Sequence, residues 1–197
     1  MSVSAISSVE KAEIKSKTAV PLIAVAIVSI LMLFTGLLSA YLVSRGDAKG
    51  VWQTFELPTS LITSTAIIVI SSVTMFFAFN AAKKDDYNSL SLHIGLTFLL
   101  GCSFTYSQFI CYGDLIDMGI YAAGSSSNAA GSYLYLLTAL HLLHLAGGML
   151  SLLFVFVRSL FKKYNSSNLS GLEASAVYWH FLTVLWILLY VFLFVNR

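Results

Sequence analysis

Apolar residues gather into five long runs, roughly Val20 to Val43, Pro58 to Ala81, Leu92 to Tyr112, Tyr133 to Val157 and Ala174 to Val195, separated by short polar stretches. Each run holds about 20 or more residues, and at 1.5 Å per residue a helix of that length crosses the roughly 30 Å hydrocarbon layer of a bilayer. The pattern predicts an all-α polytopic membrane protein: a polar tail over residues 1–19, then a five-helix transmembrane domain over residues 20–197. Small and polar residues recur inside the runs at helical spacing, which stacks them on one side. The expected seams are Ser29, Gly36 and Ser39 or Ala40 in the first run, and Ser64, Ser71, Thr74 and Ala78 in the second. In the third they are Thr97, Gly101, Thr105, Gln108 and Tyr112, and in the fourth His141, His144, Gly148 and Ser151. Such residues let helix backbones approach closely and exchange hydrogen bonds, worth about 0.6 kcal/mol each on average in membranes.

Composition agrees with this pattern. Hydrophobic residues make up 58% of the chain and charged residues 10%, against roughly a quarter charged in a soluble domain, which excludes a soluble globular fold. The net charge is +2 with no basic run, so nothing points to nucleic acid. Trp52, Trp179 and Trp186 are available as interface or packing anchors. Cys102 and Cys111, nine residues apart inside one run, have neither disulfide-framework nor metal-ligand spacing and are expected as small core residues. The tail over Met1 to Thr18 lacks the cleavage site of a secretory signal and is expected as a retained cytoplasmic segment. The stretch Asp114 to Ser132, rich in Gly, Ser and Ala, is expected as a flexible connection. Lys and Arg number eight on the side of the tail and three on the other, which predicts an N-terminus inside and a C-terminus outside.

Candidate chemistry concentrates in the last run. A carboxylate, an imidazole and an indole near one end of a membrane span need partners in neighbouring helices, headgroups or a wet recess, and Glu173, Tyr178, Trp179 and His180 stand together there. Arg158 closes the fourth run and His93 opens the third at a similar depth. This cluster reads either as an interfacial anchor with an Arg158–Glu173 ion pair or as a holder for a lipid phosphate, for which guanidinium geometry is suited. His141 and His144, three apart on one helical face, could present two nitrogens to a metal, but a closed site needs three or four ligands and the four histidines sit at different depths. The expectation is therefore no metal ligand and no catalytic residue in this chain, with His141, His144, Gln108, Ser64, Ser71 and Thr74 serving helix seams. A small haem-binding cytochrome using His144 and His180 is the alternative from a different class.

The order of these residues resembles subunit III of the haem-copper cytochrome oxidases in its short, five-helix bacterial form. Phe34-Thr35-Gly36 with Tyr41, Ser64-Thr65 with Ser71-Ser72 and Thr74, and Phe104-Thr105 with Gln108 and Tyr112 resemble three helices of that family. Thr138, His141, His144 and Gly148, and Glu173-Ala174 with Tyr178-Trp179-His180-Phe181 and Trp186, resemble its last two helices, where the spacing is specific. Ile30, Cys111 and Thr183 stand where many members carry acids, so a proton-handling role of those acids does not transfer. The resemblance implies a non-catalytic subunit of a terminal oxidase in a bacterial cytoplasmic (inner) membrane. Its expected partners are catalytic subunit I, subunit II, further respiratory-complex subunits and phospholipid, with haem and copper held by other chains. An accessory subunit of a quinol oxidase or nitric oxide reductase is the alternative within the same resemblance.

Overall fold

Each apolar run becomes one helix, and polar flanking residues extend all but the second at both ends. The computed structural model describes residues 8–47, 52, 57–124, 127–162, 164 and 169–196, with side chains in the first helix from Pro21 onward. The elements are α1 (Ser8–Asp47), α2 (Ser60–Lys83), α3 (Tyr87–Asp117), α4 (Ala129–Leu160) and α5 (Ser170–Asn196). All five contain stretches long and apolar enough to cross a membrane. The α1 backbone continues back to Ser8, so much of the polar tail is helical, while residues 1–7 lie outside the described part.

The helix ends follow local chemistry. α3 begins early because Asp86 caps it, accepting bonds from the Ser89 amide at 3.1 Å and the Ser89 hydroxyl at 2.6 Å. Those bonds hold the exposed Asp86 carboxyl below the usual carboxylate range. Asn128 caps α4 by accepting from the Gly131 amide at 2.6 Å. α3 stops where Gly119 turns left-handed at φ 75°, so that the Ile120 amide returns to the Leu115 carbonyl at 2.9 Å.

α1, α3 and α5 run one way, α2 and α4 the other. At one rim Ser60 bonds Asp114, Ser44 bonds Tyr133, and Arg45 bonds Asn196; at the other, Ser91 bonds Ser159. α2 packs most extensively on α3, and α3 also touches α4. α5 is wedged among α1, α2 and α4, while α1 leans only on α4 and α5; among the described residues α1 and α2 do not meet, although they are consecutive. Because lipid is as apolar as leucine, packing and interhelical hydrogen bonds, not water exclusion, hold these faces together.

Three expectations are corrected. Ser29, Gly36 and Ser39 of α1 face outward; the buried side is Ile30, Phe34 and Tyr41, and among the described residues no atom beyond the adjacent α1 backbone lies within 4 Å of where a Gly36 Cβ would be. Ser29 gives its hydroxyl back to its own helix at Val25 O. Cys102 is exposed on the membrane-facing side of α3, whereas Cys111 is buried as expected, and both are free thiols. The connection between α3 and α4 is shorter than the flexible stretch expected and is pinned to α4: Ile120 is buried, and the Tyr135 hydroxyl donates to its carbonyl at 3.1 Å.

Candidate functional site

Trp179 is the side chain on which the helices converge. It is 1% exposed, and α5 delivers it inward because Ser175, Trp179, Leu182 and Trp186 share one helical face at spacings of three and four. Its ring lies in a slot whose walls are glycines. A Cβ added to Gly101 of α3 would come within 2.9 Å of the ring at Cη2, and one on Gly148 of α4 within 3.4 Å. The indole N–H donates to Ser71 Oγ of α2 at 3.0 Å. Ser71 in turn reaches the Thr97 carbonyl of α3 at 3.4 Å, and Thr74 and Thr97 join hydroxyls at 2.8 Å. One indole thus ties three other helices together through packing and hydroxyl groups.

A second tryptophan repeats the device two turns along α5. Trp186 donates to Thr65 Oγ1 at 3.0 Å; its ring meets Phe104 at 5.0 Å and His141 at 5.0 Å between centroids. His141 is fully buried and, like the buried Gln108, has no hydrogen-bond partner among the described residues. Tyr112 and Thr138 bond hydroxyl to hydroxyl at 3.0 Å between α3 and α4. Ser64 is buried but bonds only its own helix, at Leu61 O.

The remaining candidates spread outward instead of forming one pocket. His180 turns to Ser72 Oγ of α2, 2.6 Å from Nδ1. His144 turns to the Leu140 carbonyl at 2.7 Å and to the Phe34 ring of α1, so His144 and His180 address different neighbours. The Tyr178 hydroxyl donates to the His144 carbonyl at 3.2 Å, and His93 sits beside Phe77 with Nδ1 2.7 Å from Ser89 O. Arg158 lies over the rings of Phe154 and Tyr164 at 5.1 and 5.9 Å, while Glu173 is exposed. Burial raises the Tyr164 phenol above its ordinary value, and the Arg158 charge works against that rise. The Arg158–Glu173 pair expected from sequence is replaced, among the described residues, by this guanidinium–aromatic stack. Tyr164 carries no signal in the apolar pattern, because it belongs to the connection after α4. Ser175, which accepts from Ser151 at 3.0 Å, could have been found as the small residue one turn before Trp179.

The three positions where the resemblance places acids in other members are all interior. Ile30 and Cys111 are buried, and Thr183 is buried with its hydroxyl returned to Trp179 O at 3.1 Å. Among the described residues no carboxylate is buried, and no group of three His, Cys, Asp or Glu is placed to hold a metal ion.

This architecture defines an integral, multi-pass membrane protein whose polar interior is built for helix packing. The family model for cytochrome c oxidase subunit III matches residues 15–196, and the chain belongs to that family. It is similar to a "Probable cytochrome c oxidase subunit 3" of Nocardia farcinica (strain IFM 10152), 33% identical over 170 residues, 85% of this chain and 82% of that one. It is also similar to the cytochrome c oxidase subunit 3 of Corynebacterium diphtheriae, 31% identical over 82% of this chain and 80% of that one. A third relative is that of Thermostichus vulcanus, 30% identical over 87% and 84%.

Proposed function

We propose that this chain is a non-catalytic subunit of a bacterial respiratory terminal oxidase, seated beside the catalytic subunit that carries haem and copper, in the cytoplasmic membrane with its N-terminus inside. The observation that carries this reading is the family match over nearly the whole chain, residues 15–196. The interior supports it: its polar groups serve helix packing, and the acids that could have moved protons are replaced by Ile30, Cys111 and Thr183. The outward face of α1, with Ser29, Gly36 and Ser39 uncovered by this chain, offers the close approach that a partner's helix would use. The test is mild solubilisation and identification of co-purifying polypeptides. Haem-copper subunits at one-to-one stoichiometry are expected; recovery of this polypeptide alone would overturn the reading.

The same proposal gives Arg158 a role at the rim. Its guanidinium, flanked by Phe154 and Tyr164, would hold a lipid phosphate and thereby steady the contact with the partner. Arg158→Ala is expected to lower tightly bound phospholipid and loosen subunit association in detergent. Unchanged lipid content by mass spectrometry would remove Arg158 from that role.

A further inference from the structure

On the membrane-facing side, α3 and α4 leave a groove between them that is apolar along most of its length and polar at one end. The wide part, about 570 Å³, has Cys102 and Ala146 among its lining and Phe109, Leu150 and Leu153 at its sides. A second stretch of about 440 Å³, lined by the next turns of both helices, lies toward the rim past Leu99, Leu96 and Phe156. Gly95 lies at its base, where even a methyl group would meet Phe156 at 3.1 Å. The groove ends in a third recess of about 220 Å³ that shares Ser91 and Leu160 with the second and adds Tyr87, Asn88, Ser159 and Lys162. The Lys162 ammonium stands 5.9 Å over the Tyr87 ring, and Ser91 and Ser159 spend their hydroxyls on protein acceptors. Among the described residues, the lysine ammonium, the Asn88 amide and the Tyr87 hydroxyl are the donors left at the mouth.

We propose that this groove is a phospholipid site, with the phosphate at Lys162 and an acyl chain laid along α3 and α4. Length supports the occupant: the fifteen steps from Ser91 to Tyr106 rise about 22 Å, more than the about 15 Å depth of one hydrocarbon leaflet. Charge supports it too, because the only described cation lining the groove sits where a headgroup would, at the polar end. The site stands apart from Arg158, which lines none of the three stretches, and it does not rest on the oxidase reading.

The test titrates phosphatidylglycerol onto the full chain, purified in mild detergent with its native partners, and counts bound lipid by native mass spectrometry. Lys162→Gln is expected to weaken retention of one lipid about fivefold, the effect of one lysine at a membrane surface. Ala146→Trp, which fills the wide part of the groove from an exposed position, is expected to abolish it, and Lys84→Gln, an equal charge change outside the groove, to leave it intact. Unchanged retention in both groove variants would overturn the proposal. So would equal weakening by Lys84→Gln and Lys162→Gln, or loss of a co-purifying polypeptide from Ala146→Trp with lipid unchanged, which would make the groove a seat for protein.

Discussion

Replacing Trp179 with alanine is expected to cost the bundle about 3 kcal/mol, the low end of the range for deleting a large buried aromatic, because in lipid the cavity and lost packing remain while the transfer from water does not. The expectation comes from geometry. The ring is 1% exposed and fills a slot bounded by Gly101 and Gly148, so its removal leaves a hole that glycines cannot close. The lost N–H bond to Ser71 adds about 0.6 kcal/mol, and Ser71 is not stranded because its hydroxyl still reaches Thr97 O. Trp179→Phe, which keeps most of the ring, should fall well short of the alanine effect. The measurement is the midpoint of denaturant-driven unfolding in mixed micelles. A loss below about 1 kcal/mol for the alanine variant would deny Trp179 its central place.

Gly101→Val is expected to be the second most damaging change, at about 1 to 3 kcal/mol of overpacking. A Cβ there would lie 2.6 Å from Met149 Sδ and 2.9 Å from Trp179 Cη2. Methionine can swing away, but the indole is held by its bond to Ser71 and by the glycines around it. Two terms compete, because replacing glycine in a helix recovers somewhat under 1 kcal/mol of backbone propensity; the clash with the indole is the larger. The decisive comparison repeats Gly101→Val in the Trp179→Ala background, where the obstacle is gone. Residues in contact couple by about 0.5 to 3 kcal/mol, so the valine should cost much less there. Strict additivity would show that the indole is not what the valine strikes. Gly113→Val on the same helix, where no described atom beyond its own helix backbone and chain neighbours lies within 4 Å of the Cβ, serves as the neutral control.

The contrast between Gly101 and Gly36 also explains what was legible in the sequence. The five spans could be read because bilayer thickness fixes a length that chance rarely produces. The seams of α2, α3 and α4 could be read because Ser71, Gly101 and Gly148 recur at the helical period beside other small or polar residues. The face of α1 could not. In a membrane both the packed and the lipid-facing sides are apolar, so hydropathy does not say which side turns inward, and a hydroxyl such as Ser29 can satisfy itself on its own helix. Cys102 was misplaced for the same reason. Within the polar cluster, the depth of Tyr178, Trp179 and His180 was evident, but their directions were not. Successive helical residues point about 100° apart, and they went to α4, α2 with α3, and α2 respectively.

The position of α5 bears on how the protein is made. The helix that α1 and α2 share as a neighbour, α5, is made after both of them, and among the described residues α1 and α2 do not pack on each other. Until α5 inserts, α1 has only its α4 contacts, such as Phe34 with His144 and Tyr41 with Tyr133, and Tyr41 lacks Phe192 and the Asn196 carbonyl. A nascent chain interrupted before residue 170 would hold α2, α3 and α4 with the Trp179 slot open, a state that a membrane protease could recognise. Completion of the bundle therefore waits on α5.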